Sequence, residues 1–227
     1  MTSKMTEPST PSRLRTAVFI SGRGSNMTAL VEAARAPDFP ADIALVLSNR
    51  ADAAGLAYAG EAGIATAVVD HKPFNGNREA FERAIDAVLV EHGVELVCLA
   101  GFLRVLTPWF VTRWAGRLIN IHPSLLPAFR GLDTHARALA ANVRLHGCTV
   151  HFVTPELDDG PVIAQAAVPI LEGDTAQTLA GRVLVQEHVI YPAALARVAS
   201  GRAKLVDGRV VLTGDTTRPD AVLVVPA

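Results

Sequence analysis

The feature that most constrains the fold is a regular alternation between short apolar runs and longer segments with helical spacing of apolar residues. Four apolar runs have the length and composition of buried parallel strands: Thr16 to Ser21, Ile43 to Ser48, Ala65 to Val69 and Leu96 to Ala100. Three segments between them are predicted helices: Asn26 to Ala36, Ala53 to Ala62 and Asn77 to Glu91. This βαβαβαβ order predicts an α/β fold built on parallel strands.

The pattern changes after Thr107. The predicted elements there are a strand at Leu118 to His122, a helix at Thr134 to Ala141, and two strands, Cys148 to Val153 and Val162 to Val168, around an acidic loop. A long helix at Thr178 to Ala199 follows, which Pro192 is expected to kink or split. Lys204 to Leu212 is predicted to be a hairpin that turns at Asp207-Gly208. These elements indicate a mixed sheet.

The chain length of 227 residues favours one large domain over two independent ones. Residues 1–12 are polar and rich in Pro, Ser and Thr, so we expect a disordered tail before a single domain at 13–213 and a second tail at 214–227. The sequence has no signal-peptide pattern and no apolar stretch of about 20 residues. We therefore expect a cytoplasmic protein with no membrane partner.

Charge and cysteine content exclude several classes of function. The 21 basic and 22 acidic side chains give a formal charge of −1, so no general attraction to nucleic acid is expected. Cys98 and Cys148 lie in apolar runs, which fits free thiols in a reducing compartment better than a disulfide framework. The histidines show no zinc-protease or Cys/His ligand spacing, so we predict no metal.

A glycine-rich turn, Ser21-Gly22-Arg23-Gly24-Ser25-Asn26, lies between the first predicted strand and helix. Unpaired N–H groups at a helix N-terminus attract anions, so this turn is a candidate phosphate site. The alternative is an ordinary turn in which Ser25 or Asn26 caps the helix. Met27 replaces the third glycine of the dinucleotide-binding pattern, although Arg50 after the second strand leaves a phosphorylated dinucleotide open.

A second candidate site begins at Asn120 and His122, which lie two residues apart and therefore on one face of a strand. The acidic loop Glu156-Leu157-Asp158-Asp159-Gly160 could supply a carboxylate that favours the imidazolium form of His122. A cationic histidine beside an asparagine amide can stabilise negative charge on a carbonyl oxygen. His151, on the next predicted strand, is either close to this group or a structural histidine bonded to its neighbours.

Five sequence blocks occur in the order typical of the phosphoribosylglycinamide formyltransferases: SGRGSN, LAGFLRVL, GRLINIHPSLLPAFRGLDTH, GCTVHFVTPELDDGPVI and QEHVIYP. From about Leu14 to Ala199 the chain closely resembles this family of purine biosynthesis. The resemblance implies the α/β formyltransferase fold, with a seven-stranded, mostly parallel mixed sheet, a Rossmann-like N-terminal half, helices on both faces and a small C-terminal hairpin. It also implies formyl transfer from 10-formyltetrahydrofolate to the primary amine of 5-phosphoribosylglycinamide.

The resemblance assigns a substrate-phosphate-binding half to residues 13–100 and a folate-binding and catalytic half to residues 101–213. The implied roles are catalysis by Asn120, His122 and Asp158; substrate-phosphate binding by Gly24, Ser25 and Asn26; ribose binding by Glu187; and folate binding by Arg78, Leu103, Arg104, Val105, Leu106 and Asn120. For Arg78 and Glu187 the alternative is a solvated helix charge, and for the Leu103 segment it is ordinary core.

Three residues depart from the family pattern: Asp133, Pro155 and Asp159. Asp133 and Asp159 leave open the charge balance near the site, including which carboxylate contacts His122. Three rival functions also remain: a formyltetrahydrofolate deformylase, a methionyl-tRNA formyltransferase, which usually carries a further nucleic-acid-binding domain, and a non-catalytic nucleotide- or folate-binding module. The sequence does not fix the oligomeric state and is compatible with a homodimer.

Overall fold

The computed structural model describes residues 13–214, so the tail predicted at 1–12 and nearly all of the one predicted at 214–227 lie outside the described residues. The strands are β1 (Leu14–Ile20), β2 (Ala41–Ser48), β3 (Ala65–Val68), β4 (Leu96–Leu99), β5 (Leu118–His122), β6 (Leu145–Phe152), β7 (Val162–Pro169), β8 (Ala203–Val206) and β9 (Arg209–Leu212). The α-helices are α1 (Ser25–Ala34), α2 (Gly55–Glu61), α3 (Arg78–Glu91), α4 (Pro108–Arg113), α5 (Thr134–Ala140) and α6 (Ala176–Ala199).

Seven strands form one mixed sheet in the order β3-β2-β1-β4-β5-β6-β7, and β8 and β9 form a separate antiparallel hairpin. The strands from β3 to β5 pair in parallel, whereas β6 is antiparallel to both β5 and β7. The predicted mixed sheet and the C-terminal hairpin are thus confirmed. β5 lies at the boundary, with a parallel neighbour on one side and an antiparallel neighbour on the other.

Helices cover both faces of the sheet, so alternate residues of the central strands enter different cores. In β1, Val18 and Ile20 pack in the core that contains residues of α1 and α6, while Ala17 and Phe19 pack in the core that contains residues of α3 and α4. Burial on both faces explains why β1, β2 and β4 read as continuous apolar runs. The expectation that β3 is also buried is wrong, because β3 lies at the edge of the sheet and is largely exposed. Cys98 and Cys148 are buried free thiols, and burial raises the pKa of each to about 12.

Three details differ from the sequence-based expectation. Helix α4 was not predicted, because six residues are too few to show a helical period. Strand β6 begins at Leu145 rather than Cys148. Helix α6 is not split at Pro192 but continues as one helix to Ala199. Tyr191 and Ala194, on either side of the proline, are both buried in the core. Within residues 13–214, no helix combines the length and the hydrophobicity that crossing a membrane requires.

Candidate active site

Asn120 and His122 lie at the carboxyl end of β5, where the chain leaves the sheet. Their partners in the register on β6 are His151 and Thr149. The following turn is fixed to β6, since Thr149 Oγ1 donates to the carbonyl of Ser124 at 2.7 Å and accepts from the backbone N–H of Leu126 at 3.0 Å. The strand and this anchored turn therefore hold the two side chains on one face, as the sequence predicts.

Asp158 is the carboxylate beside His122. The distance from His122 Nδ1 to Asp158 Oδ2 is 3.4 Å, and the two side chains are only 8% and 10% exposed. On the other side of the ring, His122 Nε2 lies 3.1 Å from the carbonyl oxygen of Phe129. Both ring nitrogens thus face oxygen acceptors, a surrounding that suits the imidazolium form with its two N–H donors.

The acidic loop is held against the sheet by its backbone conformation and by a hydrogen bond of Asp158. Asp158 adopts a left-handed conformation with φ of 50°, and its Oδ2 accepts the backbone N–H of Gly131 at 2.9 Å. A Cβ atom at Gly160 would collide with the carbonyl oxygen of Phe152, so only glycine lets the loop come this close to the sheet. The neighbouring Asp159 pairs with Arg130 instead. The acidic loop read by itself did not distinguish these two aspartates, whereas the family resemblance implied Asp158.

His151 contacts Asn120, a connection that the sequence left open. His151 Nδ1 lies 2.9 Å from the carbonyl of Phe152, so this nitrogen carries the proton. His151 Nε2 is then free to accept from Asn120 Nδ2 at 3.2 Å. Burial lowers the pKa of His151, which favours this neutral form. The arrangement orients the Asn120 amide and leaves its second N–H available.

The glycine turn forms one wall of a cleft of about 250 Å³, lined by Gly22, Arg23, Gly24, Ser25, Asn26, Ala100, Gly101 and Leu103. Gly24 has a φ of 75°, and no side chain caps the start of α1. The alternative in which Ser25 or Asn26 acts as the cap is therefore wrong. The N-terminal N–H groups of α1 remain the natural partners for an anion.

Glu187 lies beside this turn rather than on a solvated helix face. It is 7% exposed, and its Oε2 accepts from Asn26 Nδ2 at 2.6 Å. Burial raises the pKa of Glu187, and the hydrogen bond from Asn26 opposes that rise. Among the described residues, Asn26 Oδ1 is buried without a hydrogen-bond partner.

The segment after β4 (residues 103–106) is called the folate segment below, after the role that the resemblance implies for it. Its first three residues line a second cleft of about 290 Å³ together with Arg78. Leu103 is 77% and Val105 56% exposed, so neither is ordinary core. Leu106 is buried in the core instead, and it does not line this cleft. Arg78 is exposed, and its Nη2 donates to the carbonyl of Val105.

One alternative, a site for a phosphorylated dinucleotide, is weakened by the geometry. Met27, at the position of the third dinucleotide glycine, is fully buried in the core, and Arg50 makes two hydrogen bonds to Asp52 at 2.9 and 2.7 Å. Arg50 is thus already paired rather than held ready for a nucleotide phosphate. Within residues 13–214, no group of three His, Cys, Asp or Glu side chains is arranged to hold a metal ion.

The comparisons with known proteins agree with one another. The profile of the formyl transferase family matches residues 14–195. The chain is 45% identical over 202 residues to the phosphoribosylglycinamide formyltransferase of Escherichia coli, covering 89% of this chain and 95% of that protein. It is 50% identical over 201 residues to the trifunctional purine biosynthetic protein adenosine-3 of Bos taurus, covering 88% of this chain. The chain spans about a fifth of the length of that larger protein.

Solved structures of a glycinamide ribonucleotide transformylase and of a formyltetrahydrofolate deformylase are also similar to this chain. Glycinamide ribonucleotide transformylase 1 from Symbiobacterium toebii superimposes with a TM-score of 0.86 at 44% identity, covering 89% of this chain and 95% of that one. A formyltetrahydrofolate deformylase from Pseudomonas putida has a TM-score of 0.80 at 27% identity, with 91% and 72% coverage. Since the family profile and relatives of nearly equal length both match, this chain belongs to the formyl transferase family.

Proposed function

We propose that this protein transfers the formyl group of 10-formyltetrahydrofolate to the primary amine of 5-phosphoribosylglycinamide. The products are 5-phosphoribosyl-N-formylglycinamide and tetrahydrofolate, a step of de novo purine biosynthesis that we expect in the cytoplasm. The observation that carries the proposal is the contact between Asp158 and His122, which shares the end of β5 with Asn120. The uncapped start of α1 at the glycine turn supports it.

In this proposal the acceptor binds at the glycine turn. The backbone N–H groups at the start of α1 and the side chains of Ser25 and Asn26 hold the phosphate. Glu187 accepts hydrogen bonds from the ribose hydroxyls, and its contact with Asn26 fixes the spacing between the phosphate and ribose positions. The short distance between these two residues supports assigning both to one ligand.

The donor binds along the folate segment. The exposed apolar side chains of Leu103 and Val105 suit a flat pterin ring, and backbone groups of Arg104 can pair with its polar edge. Leu106 anchors the segment in the core instead of contacting the ring through its side chain. Arg78 has further N–H donors beyond the one bound to Val105, and these can meet the glutamate carboxylate of the folate.

The chemical step begins when the neutral amine of the acceptor attacks the formyl carbon, and the formyl oxygen becomes negative. Asn120 offers the amide N–H that His151 does not use. His122 offers an N–H once one of its two present contacts, with Phe129 or with Asp158, is exchanged for the substrate. Two such donors stabilise the developing oxyanion in a site with little water.

Asp158 has two tasks in this mechanism. Its negative charge stabilises the protonated form of His122. It also lies where a carboxylate can accept a proton from the attacking nitrogen, directly or through water, so that the proton reaches the departing folate nitrogen. The bond from the formyl carbon to the folate nitrogen then breaks, with no covalent enzyme intermediate.

A deformylase is the second candidate, because a deformylase is among the similar structures. Hydrolysis would use the same Asn, His and Asp but needs no phosphate site. The uncapped start of α1 leaves N–H groups that suit a phosphate, which favours transfer to a phosphorylated acceptor over transfer to water. The tRNA-specific formyltransferase is disfavoured by the formal charge of −1, which gives no general attraction to RNA.

The decisive assay follows tetrahydrofolate release from 10-formyltetrahydrofolate with and without 5-phosphoribosylglycinamide. We expect release only when the acceptor is present, with a chelator such as EDTA causing no loss. A dephosphorylated acceptor should bind much more weakly, and NADPH should not compete. Release at the same rate without acceptor would identify a deformylase, and indifference to the acceptor phosphate would refute the assignment of the glycine turn.

A further inference from the structure

Glu82 is a buried carboxylate that the proposed mechanism does not use. It lies in α3 with 1% of its surface exposed. Its Oε1 accepts the backbone N–H of Thr107 at 2.7 Å, and its Oε2 accepts the hydroxyl of the same residue. Burial of a carboxylate is costly unless hydrogen bonds compensate it, and here both oxygens are committed to one residue.

Thr107 directly follows the folate segment and precedes α4. Residues 101–107 form no regular helix or strand, so their position depends on the packing of Phe102 and Leu106 in the core and on a few hydrogen bonds. Leu103 N donates to Ser21 Oγ at 2.9 Å near the start, and Arg78 donates to the carbonyl of Val105 in the middle. Glu82 holds the end. Arg78 and Glu82 lie four residues apart, so one face of α3 supplies two of these hydrogen-bonded contacts.

We propose that Glu82 is a positioning residue that, through Thr107, holds the folate segment in the conformation that binds the donor. This inference rests on the proposed function, since the segment is taken to be the pterin wall. Glu82 itself touches no substrate. Without Glu82, the folate segment can adopt more conformations. Binding of the donor must then order the segment, and the lost conformational entropy weakens the binding. The loss falls on donor affinity and leaves acceptor binding and the transfer step unchanged.

The test compares variants on both sides of the contact. Glu82→Gln keeps the size of the side chain but has only one acceptor oxygen. Thr107→Val removes the hydroxyl that donates to Glu82, whereas Thr107→Ser keeps a hydroxyl at this position. Glu79→Gln is the matched control, because Glu79 is an exposed carboxylate on the same helix that pairs with Arg83. The KM for 10-formyltetrahydrofolate should rise about tenfold in Glu82→Gln and Thr107→Val, as expected for loss of one charge-assisted hydrogen bond. Thr107→Ser and Glu79→Gln should stay near wild type.

In all four variants we expect kcat at saturating donor and the KM for the acceptor to remain within about twofold of wild type. An unchanged donor KM in folded Glu82→Gln would overturn the inference, and so would an equal rise in both KM values. If Glu82→Gln does not fold, the difference between Thr107→Val and Thr107→Ser decides instead.

A binding measurement separates this inference from the proposed function. Tetrahydrofolate is titrated into the wild type and Glu82→Gln without any acceptor. A wild type that binds tetrahydrofolate but transfers no formyl group would refute the proposed function, while a raised Kd in the variant would still support the role of Glu82. Equal Kd values in the two proteins would refute that role alone.

Discussion

The glycine turn (residues 21–26), called the phosphate turn below because we propose that it binds phosphate, and the loops around the proposed catalytic group both contain left-handed backbone. The two regions differ in the residues that adopt it. In the phosphate turn the left-handed residue is Gly24, with φ of 75°. Around the proposed catalytic group they are one glycine, Gly131, with φ of 77°, and three residues that carry a Cβ: Phe129, Asp133 and Asp158, with φ values of 55°, 55° and 50°. Glycine adopts this conformation at almost no steric cost, whereas side chains with a Cβ resist it. The catalytic loops therefore depend on tertiary contacts to hold their shape.

The same contrast appears in how each region is assembled. The phosphate turn is one continuous stretch of six residues at the start of α1. The catalytic group combines two residues of β5, one of β6 and one of the following loop. A continuous motif carries its geometry in its own backbone, while a dispersed group depends on the register of the strands. Changes that disturb the dispersed group should therefore alter kcat, and changes in the turn should alter acceptor binding.

The largest effect is expected for His122→Ala. Removal of one donor to the developing oxyanion should lower kcat about 100- to 1000-fold, while the acceptor KM changes little. Steady-state kinetics with both substrates measure the two parameters, and circular dichroism checks the fold. A variant that loses acceptor affinity but keeps kcat would place His122 in the binding region instead.

The next effect is expected for His151→Phe, which removes the acceptor that orients the Asn120 amide. We expect kcat to fall roughly 20-fold, the order expected when a buried donor loses its partner. His151→Gln retains an acceptor and should recover most of the rate. If both variants show wild-type kcat, the contact between His151 and Asn120 is structural only.

Gly24→Ala tests the phosphate turn. The added Cβ would lie 3.0 Å from Met27 Cε and 3.2 Å from Gly55 Cα, in a conformation that costs a non-glycine residue about 1–2 kcal/mol. The acceptor KM should rise about tenfold if that cost appears in binding, with the donor KM unchanged. Gly60→Ala is the control, because its Cβ would meet nothing within 4 Å. A raised donor KM in Gly24→Ala would contradict the separation of the two regions.

The smallest effect concerns acid stability. His146 Nε2 lies 3.1 Å from His135 Nδ1, and burial lowers the pKa of His146 from 6.5 to about 4. Between these pH values the unfolded chain binds a proton that the folded protein does not, so the free energy of unfolding should fall as the pH drops from 6.5 to 4. Urea titrations of the wild type and His146→Phe measure this, and the variant should show a shallower fall. Identical pH dependence would show that His146 does not contribute.

Sequence reasoning succeeded where the information is local. The alternation of apolar runs predicted the parallel strands, and the two-residue spacing of Asn120 and His122 placed them on one face. Without the family resemblance it could not choose between Asp158 and Asp159, because that choice depends on the left-handed conformation of Asp158 and on Arg130 pairing with Asp159. It also missed Glu82, since a glutamate on an amphipathic helix gives no sign of whether it meets solvent or a loop.

The central claim is that Asp158 and His122 act as one unit. The most direct test is kcat, at substrate concentrations above KM, for the wild type, Asp158→Asn, His122→Ala and the double variant. We predict that each single variant loses most of the rate and that the double variant loses much less than the product of the two single losses. Near-wild-type kcat in Asp158→Asn, or fully multiplicative losses in the double variant, would contradict the account.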